Sequence, residues 1–232
     1  MKQLITPLLA LALAAAALHS PEAWAGTEAR TVAAFEAIST NGAMDLTVRQ
    51  ADKAAITVTA DDKVLPLVET VVENNTLVIR MKKGERMWNT GTISVAIDVV
   101  KLNAISSAGS GDIVLNGLKT PSFKLTLAGS SDAKLNGLST DSTELRIAGS
   151  GDVAANGTSR SVAISISGSG DANFSGLTAD DVTVKIAGSG DASVNANKSL
   201  AVSVAGSGDV VYTGNAQTMK VSMSGSGTLT KK

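Results

Sequence analysis

Six aspartates recur at nearly constant spacing through the second half of the chain, each after a short glycine and serine run. If this segment folds into stacked strands, like residues of successive repeats lie about 4.8 Å apart and the carboxylates form one column. Such a column could bind calcium between repeats, or it could accept backbone N–H groups and hold the turns. The aspartates are Asp112, Asp132, Asp152, Asp171, Asp191 and Asp209.

The capping role is large enough to explain the column. Neighbouring carboxylates at this spacing repel by about 1 kcal/mol in a water-like dielectric, whereas a hydrogen bond to a charged group contributes roughly 1.5 to 3 kcal/mol. Calcium needs six to eight oxygen ligands, and each repeat supplies one aspartate. We therefore expect each aspartate to accept an N–H group of its own turn, with calcium as the alternative and no resident metal or cofactor.

A glycine stands three residues before each aspartate and marks a corner of the repeat. These glycines are 18 to 20 residues apart, and such a period is typical of a solenoid whose coils stack on their neighbours. Glycine is expected at a tight corner because it adopts positive φ without steric cost. The corner glycines are Gly109, Gly129, Gly149, Gly168, Gly188 and Gly206.

Alternating apolar residues flank each corner. Ile113 and Leu115 follow the first aspartate, Leu125 and Leu127 precede the next glycine, and later repeats keep this pattern. Two inward-facing strands joined by two turns make a coil, with the second turn at Asn116-Gly117 and its equivalents. The sequence predicts an all-β fold, a single-stranded parallel β-helix or β-solenoid of about 20-residue coils, with a less regular N-terminal β region capping one end.

The chain divides into three segments by pattern. Residues 1–25 have the features of a signal peptide, with Lys2, an uncharged apolar run and a small-x-small site ending at Ala25. Residues 26–104 form the N-terminal β region, with a hairpin turn at Asn74-Asn75 and one helical turn within residues 64–70. Residues 105–232 form the repeat solenoid, which continues the same domain without a linker.

Composition excludes several classes of activity. The chain has no cysteine, and its single histidine, His19, lies in the predicted signal peptide. The mature protein therefore cannot use a Ser-His or Cys-His relay or a histidine-based metal site. With a net charge of −1 and no basic block, it is not expected to bind nucleic acid. We expect a periplasmic or extracellular protein with no membrane span in the mature chain.

One loop stands out as a candidate contact patch because exposed Trp and Arg side chains are common binding anchors. The alternative is that its tryptophan folds over the first coil as a cap. A carbohydrate-active β-helix enzyme that uses carboxylates alone also stays open, although Asp180-Asp181 lies in a turn that favours solvation. Near the C-terminus, Lys231-Lys232 should blunt the last edge and favour a monomer or small homo-oligomer. The patch residues are Lys82, Lys83, Arg86, Met87 and Trp88.

Three stretches resemble the head GIN domain family, a domain of unknown function labelled putative auto-transporter adhesin. They are residues 30–38, the Asn74–Ile79 hairpin segment, and residues 102–112 with the repeats that follow. The resemblance implies a β-helix-like fold and a bacterial envelope setting, and it brings no catalytic residues. We therefore expect a non-enzymatic, adhesin-like scaffold that binds a glycan or another envelope component.

Overall fold

The computed structural model describes residues 25–84 and 91–232. The predicted signal peptide up to residue 24 lies outside the described residues, as do Arg86, Met87 and Trp88 of the predicted contact patch. One 3-10 turn covers Leu65–Leu67. The strands are Ala25–Arg30 (β1), Ala37–Gly42 (β2), Met44–Gln50 (β3), Ala55–Asp61 (β4), Val68–Glu73 (β5), Thr76–Met81 (β6), Ile93–Val99 (β7), Ala104–Gly109 (β8), Ile113–Gly129 (β9), Ala133–Gly149 (β10), Val153–Gly168 (β11), Ala172–Gly188 (β12), Ala192–Gly206 (β13), Val210–Thr213 (β14), Thr218–Gly225 (β15) and Leu229–Lys231 (β16).

The repeat region is a parallel β-solenoid, which confirms the predicted fold class. Strands β9 to β13 each cover most of one coil, and each pairs in parallel with the strand one coil before and one coil after. The corner glycines lie opposite each other from coil to coil, as Gly129 lies opposite Gly149. The sequence period therefore sets the register, because a shift by one residue would expose every inward side chain.

The solenoid begins earlier in the chain than the repeat does. Strand β2 pairs in parallel with β8, with Gly42 opposite Gly109, and β3 pairs with the first part of β9, with Leu46 opposite Ile113. Residues 42–45, which read Gly-Ala-Met-Asp, thus form the first corner of the stack. Sequence reasoning missed this corner because alanine and methionine replace the serine and second glycine.

Antiparallel strands cover the N-terminal end. Strand β4 pairs antiparallel with β7, β1 pairs antiparallel with β4, and β5 and β6 form a hairpin. The hairpin turn is at Asn74-Asn75, as predicted, and both residues have positive φ, 50° and 62°. Such values are those of a two-residue hairpin turn, which asparagine tolerates. The 3-10 turn lies inside the stretch predicted to hold one helical turn.

The predicted inward columns form the core, with two differences. A third column, which includes Leu118, Leu138 and Leu177, is also buried, so each coil has more inward positions than a two-strand coil provides. In the last coil, Val221 keeps the inward register opposite Val202 but is 48% exposed. Its predicted burial is wrong because no coil of the described chain covers β15 on its outer side.

Candidate functional site

The aspartate column is a hydrogen-bonded ladder along the corner of the solenoid. The carboxylate of every ladder aspartate except Asp112 accepts the backbone N–H of the residue one coil further on, so Asp171 N donates to Asp152 Oδ1 at 2.9 Å. In return, the residue after the aspartate donates to the next aspartate's carbonyl, as Val153 N does to Asp171 O at 2.8 Å. The same bond forms at five other corners, at 2.8 to 3.0 Å. The backbone N–H groups donate in the pairs Asp112 to Asp45, Asp152 to Asp132, Asp191 to Asp171, Asp209 to Asp191 and Thr228 to Asp209.

The predicted hydrogen bond within each aspartate's own turn is wrong. The aspartate carboxylates accept N–H groups of the neighbouring coil instead. In a parallel stack, backbone N–H groups point along the solenoid axis toward an adjacent coil. The carboxylate of the preceding coil lies one coil spacing away and is a stronger partner than a neutral carbonyl. The ladder also starts at Asp45, which sequence reasoning missed together with its corner.

The ladder lacks one step among the described residues. No bond joins Asp132 N to the carboxylate of Asp112, and at this corner Ser131 stands where the other corners of the repeat region have glycine. The Ser131 side chain is fully buried and its hydroxyl pairs with that of Ser107 at 3.0 Å. The corner thus holds a buried hydroxyl pair in place of the ladder bond.

Corner glycines are required by close approach between coils as well as by φ. Gly149 has φ +143°, and a Cβ there would lie 2.1 Å from the carbonyl oxygen of Gly129. The same conflict with the preceding coil recurs at Gly168, Gly188 and Gly206. Because parallel coils stack at about 4.8 Å, only a residue without Cβ lets the backbones meet at this corner.

The ladder does not bring its carboxylates into a cation cage. Among the described residues, no group of three or more histidine, cysteine, aspartate or glutamate side chains could hold a metal ion. Every ladder carboxylate except that of Asp112 already accepts a hydrogen bond from the next coil, and calcium prefers six to eight oxygens. The arrangement therefore favours the capping role over the calcium alternative.

A polar furrow lies where the N-terminal β region meets the first regular coil. Its first recess has a volume of about 460 Å³ and is lined by the connection between β7 and β8, by the middle of β9, and by Glu36 and Gln50. A second recess of about 490 Å³ shares Lys119, Thr120 and Pro121 with it and extends to β10. We call the two recesses the corner furrow. The remaining lining residues are Lys101, Leu102, Asn103, Ser122, Ser139, Thr140 and Asp141.

Side-chain hydrogen bonds brace the furrow. The amide of Gln50 accepts the N–H of Lys119 at 2.9 Å and donates to the carbonyls of Val100 and Lys119 at 3.2 and 3.3 Å. The side-chain amide of Gln50, the last residue of β3, therefore pairs with the backbone of β9 as the backbone of one more strand residue would. Asn103 donates its backbone N–H to the carbonyl of Glu36 at 2.8 Å and its side-chain amide to the Glu36 carboxylate at 3.4 Å.

The furrow offers charges of both signs and several hydroxyl groups. Lys101 and Lys119 are exposed, as is Asp141, whereas Glu36 is half-buried and Leu102 is buried beneath them. Such a surface can hydrogen-bond a polar ligand through ammonium, amide and hydroxyl donors. Each recess contains one carboxylate, and a glycosidase site needs two across the scissile bond.

Of the predicted contact patch, only Lys82 and Lys83 belong to the described residues. Both side chains are exposed, and Lys82 N donates to the carbonyl of Leu67 at 2.8 Å, which ties the end of β6 to the 3-10 turn. The furrow is lined by other residues. Sequence reasoning missed the furrow because its walls come from segments up to about 100 positions apart, with Glu36 at one end and Asp141 at the other.

Solved structures with the same fold include proteins from Bacteroides and Parabacteroides species. A putative adhesin from Bacteroides fragilis has a TM-score of 0.85 and 26% identity, over 91% of this chain and 99% of that one. A putative lipid binding protein from Parabacteroides distasonis has a TM-score of 0.73 and 23% identity, over 90% and 96%. A putative adhesin from Parabacteroides merdae also has a TM-score of 0.73, with 22% identity over 90% and 96%.

The remaining comparisons bear on family and membrane topology. No curated protein matches the chain significantly in sequence. Of the helices in the described part of the chain, none has the length and apolar character that a membrane crossing requires. The model of the family described as putative auto-transporter adhesin, head GIN domain, matches residues 34–216. This match spans most of the corner ladder and the whole corner furrow, and the chain belongs to the head GIN domain family.

Proposed function

We propose that this protein is a non-enzymatic binding scaffold of the bacterial envelope or the cell exterior. The solenoid is the rigid support, and the corner furrow holds a polar ligand such as a glycan or another envelope component. The observation that carries the proposal is the furrow itself, since ligand sites are concave and present a few well-placed polar groups. The adhesin-like character of the family and of the Bacteroides fragilis structure supports a binding role.

The furrow's composition favours binding over catalysis. Its lysines and hydroxyl groups are donors for hydroxyl-rich or anionic ligands, and Glu36 is engaged by Asn103. A ligand that spans both recesses would contact both Lys101 and Lys119. Binding without turnover is the expected behaviour, because the two carboxylates of the furrow, Glu36 and Asp141, lie in different recesses and Glu36 already accepts a hydrogen bond from Asn103.

A glycan panel tests the proposal. We expect the wild-type protein to bind a subset of polar glycans and the double variant Lys101→Ala, Lys119→Ala to lose that binding. Lys134→Ala is the matched control, because Lys134 is also exposed but lies on β10 outside the furrow. Depolymerisation of each bound glycan is measured in parallel. Turnover of a ligand, or equal binding by the double variant and the control, would contradict the proposal.

The loop predicted from the sequence is a second contact to test. Trp88→Ala should weaken ligand binding if Trp88 is an exposed anchor, and it should lower the melting temperature instead if Trp88 caps the first coil. Blue-shifted Trp88 emission that is protected from quenchers in the free protein would contradict the anchor role.

A further inference from the structure

The last coil exposes apolar side chains that keep the inward register. Within β15, Met219 and Val221 are 39% and 48% exposed, although they lie opposite Leu200 and Val202, which are buried in the preceding coil. Together with Val100, they are the large apolar residues that the described chain exposes most. The core of the solenoid therefore reaches the surface at this end.

The backbone of β15 has a free edge at the same place. On one side, Thr218–Gly225 pairs in parallel with β13, and on its other side no strand of the described chain pairs with it. An unpaired edge beside exposed apolar residues is a template for strand addition. The occupant must supply a strand edge and apolar side chains together.

In the part of the chain that the structure describes, the opposite, N-terminal end of the solenoid does not present a free strand edge together with exposed apolar side chains. The outermost strand of the hairpin there, β5, has an ionic outer face in which Arg80 bridges Glu69 and Glu73. Its inward residue Val72 is half-buried against the core, and Val68 is buried. A head-to-tail stack would bring this covered end against the open one. Strand β15 of a second copy is a better match, because the exposed Met219 and Val221 of both copies are apolar.

We propose that two copies of the chain associate tail to tail through β15, about a two-fold axis that passes midway between Val221 of one copy and Val221 of the other. Rotation about an axis normal to the sheet keeps inward side chains inward and makes the two β15 strands antiparallel. Val221 then faces Val221 of the second copy, and Met219 faces Met223. The two cores become one continuous core, and the free edge of each strand is paired.

The charges of β15 agree with this register. Lys220 on the outward face lies opposite Ser222 of the second copy, so no lysine faces a lysine across the strand pair. A register centred on Lys220 would place like charges directly opposite, which is destabilising. The β15 interface is closed, because a two-fold interface uses the same surface on both copies and leaves no β15 edge free for a third copy.

Sedimentation measures the association with the mature full-length chain. We expect the wild-type protein to be a dimer at submillimolar concentration. Val221→Asp should weaken dimerisation by about tenfold or more, since it buries an unpaired carboxylate at the axis. Ser222→Asp lies on the outward face of the same strand and should strengthen the dimer, because the new carboxylate faces Lys220 of the second copy.

Cross-linking tests the register independently of affinity. The chain has no cysteine, so a single introduced thiol can react only with its copy. Directly opposed residues of an antiparallel pair have Cβ atoms within about 5.5 Å, and diagonal neighbours are about 7 Å apart or more. Val221→Cys should therefore form an intermolecular disulfide readily and Lys220→Cys only slowly. A monomeric wild-type protein, or equal cross-linking of the two variants, would overturn the proposal.

Discussion

A methyl group added at a corner glycine should destabilise the solenoid through two separable effects. In Gly149→Ala, the new Cβ would lie 2.1 Å from the carbonyl oxygen of Gly129. A carbon and an oxygen approach ordinarily to about 3.3 Å, so the two coils must separate by about 1 Å. The hydrogen bond from Ser150 N to Gly129 O, now 2.9 Å long, would then be stretched out of range.

The expected loss combines backbone strain and this bond. Holding a non-glycine residue at φ +143° costs about 1 to 3 kcal/mol, and a lost backbone hydrogen bond costs about 1 kcal/mol. We therefore expect Gly149→Ala to destabilise the protein by about 3 kcal/mol. For a chain of this size, the melting temperature should fall by about 6 to 12 °C.

Two control substitutions separate the causes. Gly117→Ala carries the strain alone, because Gly117 has φ +66° and a Cβ there would meet nothing within 4 Å. Its expected cost is about 1 kcal/mol. Gly151→Ala carries the contact alone, because its φ is not in the positive range and its Cβ would lie 2.0 Å from the carbonyl oxygen of Ser131.

Thermal and urea unfolding of the three variants are compared under identical conditions. Gly149→Ala should be the least stable, with Gly151→Ala intermediate or close to it and Gly117→Ala nearest to the wild type. Equal melting temperatures for Gly149→Ala and Gly117→Ala would refute the close approach as a cause of destabilisation, because only the Cβ of Gly149→Ala meets the neighbouring coil.

Three further predictions concern the polar groups. Asp152→Asn keeps a carbonyl oxygen that can accept the N–H of the next coil and removes one charge from the column, so it should unfold close to the wild type, whereas Asp152→Ala should lose about 1 kcal/mol in urea unfolding. A larger loss for the asparagine variant would contradict the ladder. Ser107→Ala leaves the buried Ser131 hydroxyl without its partner and should cost about 1 to 3 kcal/mol by the same assay, and replacing Ser131 by alanine as well should restore part of that loss. The hydrogen bond from Arg49 lowers the pKa of Asp98, so this pair stabilises the fold above the unfolded pKa, near 3.8, and its contribution is lost as acid protonates Asp98. Wild-type stability should therefore fall more steeply below about pH 4 than that of Arg49→Gln, and parallel acid titrations would count against the pair.

The features of the fold that could be predicted from the sequence are those that depend on local patterns. The period of the corner glycines and the alternation around them are local patterns, and they led to the coil length, the strand register and the inward columns. The Asn74-Asn75 turn was equally local, because a two-residue turn depends on the φ preference of its own residues. The corner at Asp45 was missed because two of its four residues depart from the repeat, and only its pairing with β8 and β9 identifies it.

The candidate functional surface depends on contacts between distant segments of the chain. The furrow arises because Gln50 pairs with Lys119 and Asn103 with Glu36, and nothing in the sequence near any one of them indicates the others. The aspartate column was visible in the sequence, but its bonding partner was not, since the choice between the same turn and the next coil depends on where the stack directs each N–H group.

The sequence by itself determined the family, the all-β solenoid and the coil period, because backbone pairing at a fixed spacing translates a linear repeat directly into a stack. Only the tertiary structure decided where that stack ends, which apolar residues of the last coil stay exposed, and which polar residues share a furrow. The physical reason is that burial and concavity depend on the neighbouring coil. The repeat pattern is the same in coils with a neighbour on both sides and in the last described coil, which has a neighbour on one side only.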